Sequence, residues 1–164
     1  MIAVSDTSRQ PRVYLIRETA VSMLVNGVLS ALFVFLVFGG KERIGLWDTP
    51  GLALDFLPQT FIIAFMATLV PSVLTRKAVA NGKVARAEGS ASTLPSNLFV
   101  RSLAVATVVS LVVIPSAVAA IALGSSGVLA FSIVLPMKVA YGACLACPVT
   151  VHAIRAALRD RVNG

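Results

Sequence analysis

Residues 128–151 read VLAFSIVLPMKVAYGACLACPVTV, an unbroken apolar run with one lysine inside it. A helix needs about 20 such residues to cross a hydrocarbon core of about 30 Å. The chain repeats this solution three more times, over residues 19–38, 56–75 and 102–123. One soluble core cannot hide four such stretches. The composition agrees: 57% of the 164 residues are hydrophobic and 13% charged, against about 45–50% and about 25% in ordinary soluble domains. The runs lack the period-2 alternation of membrane barrels. The expected fold is therefore all-α, an integral membrane four-helix bundle forming one domain over residues 1–164.

Between the runs lie turn signals. Gly39 and Gly40 end the first, and Asp48-Thr49-Pro50-Gly51 precedes the second, with Trp47 placed for the interfacial aromatic belt. Pro71 is expected to bend or loosen the second span. Residues 78–97 form the one long polar connection, expected to be a flexible surface loop with a short basic helix over 83–88. Gly124-Ser125-Ser126-Gly127 is so short a link that the third and fourth spans are expected to be antiparallel neighbours. Residues 1–12 read as a polar tail. The first apolar run is too long for a signal-peptide core, so it is expected to stay as an anchor.

The net charge of +7 would suggest nucleic acid in a soluble protein. Here no basic stretch is interleaved with aromatics for stacking, and the expected partner is the lipid bilayer. Eleven of the fourteen Lys and Arg fall on one side of the four spans: Arg9, Arg12, Arg17, Arg76, Lys77, Lys83, Arg86, Arg101, Arg155, Arg159 and Arg161. Only Lys41 and Arg43 fall on the other. The positive-inside rule then puts both termini and the 78–97 loop in the cytoplasm of a bacterial inner membrane.

The halves echo each other. Arg17-Glu-Thr-Ala-Val opens the first span and Arg101-Ser-Leu-Ala-Val the third; Pro71 to Arg76 closes the second and Pro148 to Arg155 the fourth. Two parallel two-helix repeats would produce this. On these positions the chain resembles small uncharacterised bacterial inner-membrane proteins built from two-helix units with a proline late in the second helix. That resemblance implies a fold and no activity.

Candidate chemistry concentrates in the fourth run. Lys138 stands eleven residues in, near the expected midplane, where an unpaired charge costs at least ~2.5–3.5 kcal/mol. It is expected to face the interior and contact a polar group: Asp55 or Gln59 near the outer end of span two, Asn26 in span one, or Ser110 in span three, with Tyr141 beside it. Cys144 and Cys147 lie three apart on one helix face. A four-span protein with C-x-x-C in its last helix resembles quinone-linked thiol oxidoreductases of the vitamin K epoxide reductase type. That resemblance implies reactive thiols, but the family's second cysteine pair is absent, and this pair falls in the cytoplasmic half. A zinc site would need two further ligands, and His152 is the sole histidine. The plainer reading makes both cysteines packing residues. Small residues four apart (Gly27/Ala31, Ala64/Thr68/Ser72, Ser102/Ala106/Ser110, Gly142/Ala146) supply close-packing positions. Glu18 resembles the essential first-span glutamate of small multidrug exporters, but at the membrane edge it is expected to pair with Arg17 or a headgroup. No nucleotide, metalloprotease or serine-hydrolase motif is present, and no metal or cofactor is expected. The leading function is a non-enzymatic accessory or assembly subunit packing against a larger complex or itself. The alternatives are a small dimeric or proton-linked carrier working through Lys138, and a thiol–quinone enzyme using Cys144 and Cys147.

Overall fold

The computed structural model describes residues 4–87 and 94–160, with side chains from residue 11 onward. Four helices carry the chain: α1 Val4–Phe38, α2 Leu52–Ala80, α3 Leu98–Gly124 and α4 Phe131–Leu158. Each is long and apolar enough to cross a membrane. Two short strands, β1 Arg43–Gly45 and β2 Val128–Ala130, pair antiparallel with Ile44 opposite Leu129. This ribbon was not expected. Three-residue strands carry no readable period, and residues 128–130 pass for the start of a helix.

The helices alternate in direction between two ends. At the ribbon end α1 and α3 finish and α2 and α4 begin. At the other end, called here the arginine end, Arg76, Arg101 and Asp160 meet. α4 packs on α1 and on α2, and α2 packs on α3, while α1 and α2 barely touch. α3 and α4 are not the packed neighbours their short link suggested. The ribbon is the reason: after the Ser125–Gly127 turn, β2 runs across to β1 before α4 starts, and Leu46 N–H donates to Gly127 O at 2.7 Å.

Local chemistry sets the ends. Gly40 terminates α1 at φ +87°, a conformation other residues rarely adopt. Asn97 caps α3, its Oδ1 accepting from the amides of Phe99 at 2.9 Å and Val100 at 3.3 Å. The helices overrun the expected spans. α1 already begins at Val4, so most of the expected tail is helical. α2 continues nine residues past Pro71 to Ala80 rather than loosening there. A proline leaves the carbonyl four residues back unpaired. Here that is Ala67 O, and the Thr150 hydroxyl of α4 reaches it at 3.4 Å.

Three apolar clusters stack along the axis. Val34, Phe38, Ile44, Leu46, Phe56 and Val134 fill the ribbon end. Ile63, Ala67, Leu145, Ala146 and Val149 lie in the middle. Val84, Ile154 and Leu158 close the arginine end. Residues 81–87 form turns, not the expected helix, and are pinned rather than loose: Val84 is buried, and Ala87 N–H donates to Leu158 O at 3.2 Å. The Gly89-Ser90 and Thr93 positions of that loop, Glu88 and Arg161 lie outside the described residues.

Candidate functional site

Lys138 is wholly buried, and its Nζ lies 2.7 Å from Asp55 Oδ2. The residue is eighth in α4, nearer the ribbon end than the midplane position expected, because β2 takes residues 128–130 out of the helix. Asp55 sits in the first turn of α2, where the helix dipole favours a carboxylate. The two charges meet without the alignment of a hydrogen bond. The ammonium instead rests on the Phe56 ring, 3.7 Å from its centroid, with the Tyr141 ring at 5.8 Å. A cation over an aromatic face gains about 0.5–2 kcal/mol, most when desolvated. Phe56 and Tyr141 meet edge to face at 4.9 Å, and the Tyr141 hydroxyl bonds Thr60. One ion pair, two rings and one hydroxyl pair thus join the start of α2 to α4.

A second polar seam runs along α1 toward the arginine end. Gln59 Nε2 donates to Ser30 Oγ at 2.9 Å, and Ser30 Oγ donates to Asn26 O at 2.8 Å. Asn26 Nδ2 donates to Ser22 O at 2.8 Å. Ser22 Oγ lies 2.7 Å from Thr150 Oγ1, which turns toward the carbonyl freed by Pro71. The seam depends on Gly142. A Cβ there would stand 2.0 Å from Ser30 Oγ and 3.0 Å from Asn26 O, so only glycine lets α1 and α4 approach this closely. Gln59 Oε1 stays buried without a hydrogen-bond partner.

Of the residues singled out from sequence, the structure brings Asp55 and Tyr141 to Lys138. Gln59 and Asn26 go into the seam. Ser110 joins neither; its hydroxyl is buried on α3 without a partner. Cys144 is exposed, Cys147 half-buried, and both are free thiols. Neither lines the groove of about 470 Å³ that their chain neighbours Leu145 and Pro148 help to wall. Among the described residues no group of three or more His, Cys, Asp or Glu could hold a metal. Glu18 forms no ion pair with Arg17; it lines a cleft of about 160 Å³ between α1 and α2, together with Ser22 and Asn26.

The cluster that sequence reasoning missed is at the arginine end. Arg101 is completely buried, with Nη1 and Nη2 donating to Asp160 at 2.9 and 2.7 Å and Nε donating to Pro95 O at 3.0 Å. Arg76 donates to the same carboxylate through Nε and Nη2, at 2.9 and 2.7 Å, and to Ser96 O at 2.7 Å. The paired fork geometry is the strong form of this interaction. One signal could have found it: Asp160 is the only acid after Glu88, set among arginines.

Between α3 and α4 the divergence leaves a groove of about 470 Å³, walled by Val105, Val108, Val109, Leu145 and Val149, with His152 the last residue along α4. Compared with known proteins, the chain matches no family model, no curated protein and no solved structure.

Proposed function

We propose that this chain is a four-span integral protein of a bacterial inner membrane, with both termini cytoplasmic. In this reading it is a non-enzymatic accessory or assembly subunit that packs against a larger membrane complex or a second copy of itself. One observation carries it: the most apolar window of α3, with a mean hydropathy of 2.4, is only 6% buried. A helix that apolar and that uncovered needs lipid or another helix around it. The charges, by contrast, are sealed inside. Lys138 and Asp55 are buried against each other.

The topology is supported by the charge asymmetry between the ends. Arg12, Arg17, Arg76, Lys77, Lys83, Arg86, Arg101, Arg155 and Arg159 belong to the arginine end, against Lys41 and Arg43 at the ribbon end, beside Glu42 and Asp48. The packing also supports two parallel repeats. Exchanging α1 with α3, β1 with β2 and α2 with α4 returns the three main helix contacts and the strand pairing, with α2 against α4 and β1 against β2 at the centre, although the weaker contacts are not exchanged.

The test is purification from native membranes in mild detergent, with single cysteines for cross-linking in a background lacking Cys144 and Cys147. Leu111→Cys on α3, at 72% exposure, should cross-link to one defined protein or to a second copy, whereas Leu36→Cys on α1, at 81%, should not. A chain that purifies alone and cross-links to nothing from α3 refutes the reading. The carrier alternative draws on one observation, a titratable pair inside a span. It requires transport that is lost in Lys138→Met while the protein stays folded.

A further inference from the structure

We propose that the groove between α3 and α4 binds one anionic phospholipid, its acyl chain lying between the helices and its phosphate on Arg155 and Arg159. The inference rests on the membrane reading above. The groove has the chemistry and length of one leaflet. Its wall on α3 runs from Ala104 to Val113, nine steps, or about 14 Å at ~1.5 Å per residue, close to half of a ~30 Å hydrocarbon core. Toward the arginine end its last lining residue on α4 is His152. Arg155 and Arg159 follow three and seven residues later, on the same side of the helix.

Charge separates this groove from the cleft between α1 and α2. Arg76 and Arg101 are consumed by Asp160. Arg155 and Arg159 are exposed and, among the described residues, have no ion-pair partner. Two exposed guanidinium groups, without an ion-pair partner among the described residues, therefore follow one to two turns beyond the apolar slot, where a phosphate diester attached to an acyl chain can meet both. Basic sites between helices on the cytoplasmic side bind anionic headgroups by this logic. The equivalent cleft between α1 and α2 has the opposite character. Glu18, Ser22 and Asn26 line it, so a carboxylate would repel the same headgroup there.

The test is native mass spectrometry of the full-length protein in detergent, titrated with phosphatidylglycerol or phosphatidylcholine. One phosphatidylglycerol should bind in preference to phosphatidylcholine. At about 1 kcal/mol for each arginine, the Arg155→Gln/Arg159→Gln double variant should bind phosphatidylglycerol roughly thirtyfold more weakly and lose the preference. Val109→Trp fills the slot and should weaken both lipids, while Leu36→Trp on the open face of α1 should change neither. Circular dichroism of each variant checks that the fold is kept. Equal binding of the two lipids by the unaltered protein overturns the proposal, as does phosphatidylglycerol binding that survives both groove variants. Cross-linking of Val109→Cys to a second polypeptide in native membranes would give the groove to a helix instead, and also overturns it. Flotation with liposomes tests the membrane reading separately: failure to float sinks both, whereas flotation without lipid preference sinks only this site.

Discussion

Replacing Lys138 by methionine leaves the Asp55 carboxylate buried without its counter-charge; replacing Asp55 by leucine leaves the ammonium in the same position. The ammonium is the more exposed to this loss in energetic terms, because Lys138 is 0% solvent-accessible and its one close charge partner is Asp55, 2.7 Å away. The remaining ammonium has two options. It can stay charged against the Phe56 ring, which returns about 0.5–2 kcal/mol. It can also shed its proton and leave a neutral amine in an apolar site, giving up the charge altogether. Either route gives a loss of about 3–5 kcal/mol for Asp55→Leu, the range found when one partner of a buried pair is removed. Lys138→Met should cost somewhat less, about 2–4 kcal/mol, since Asp55 sits at a helix N-terminus that favours negative charge. The double variant Asp55→Leu/Lys138→Met replaces both charges by apolar groups and should lie within about 1 kcal/mol of the parent. The assay is reversible unfolding in mixed micelles, followed by far-UV circular dichroism, for the four proteins of the cycle. The expected coupling energy is at least about 3 kcal/mol. A double variant as unstable as the sum of the singles, or singles costing under about 1 kcal/mol, would refute the claim that this pair locks α2 to α4.

Three further substitutions probe the other contacts. Asp160→Asn removes the charge shared by Arg76 and Arg101 and should cost about 3 kcal/mol, with faster amide hydrogen exchange in residues 94–100 and at the end of α4. Gly142→Ala drives a methyl into Ser30 Oγ and should cost about 1–3 kcal/mol; adding Ser30→Ala should recover part of this, and a thermal melt of both variants reads it. Thr150→Val strips the hydroxyl that links Ser22 to the Ala67 carbonyl. It should cost about 1–2 kcal/mol by the same melt, because it leaves a buried carbonyl unpaired.

The four helices were legible because an apolar run of membrane length admits few other structures. Lys138 was legible for a related reason: a charge in such a run must have a partner, and Asp55 and Tyr141 were within reach. What failed to show was anything set by tertiary geometry at the helix ends. Arg76 and Arg101 were counted as topology signals, since an arginine just outside a span ordinarily faces headgroups. That Arg101 turns inward to Asp160, 59 residues away, has no local signature. The ribbon was hidden because Arg43–Gly45 and Val128–Ala130 are too short for alternation and become strands only by meeting each other. The depth of Lys138 and the separation of α3 from α4 both follow from that ribbon, so one unseen element produced two displaced expectations. Ser110 was grouped with Lys138 by depth alone, which ignores which helices face each other.

The two charged clusters sit at opposite ends, and this bears on how each helix is held. In a bilayer, apolar faces gain little by turning from lipid to one another, so polar ties and close packing must hold the helices in register. α2 and α4 are tied at the ribbon end by Asp55 and Lys138, and α1 is tied to α4 and α2 along the Ser22–Gln59 seam. α3 has no such tie along its length. Its buried residues are Arg101, Ser102 and Ala106, all in its first third, and its one strong anchor is Asp160, a side chain it shares with α2. The outer two thirds of α3 are held by apolar contact to α2 and by the Ser125–Gly127 turn. α3 is therefore held along its length by apolar packing on α2 and tied by polar contacts only near the arginine end. The proposed lipid and the proposed second protein both draw on the uncovered apolar flank that α3 presents away from α2.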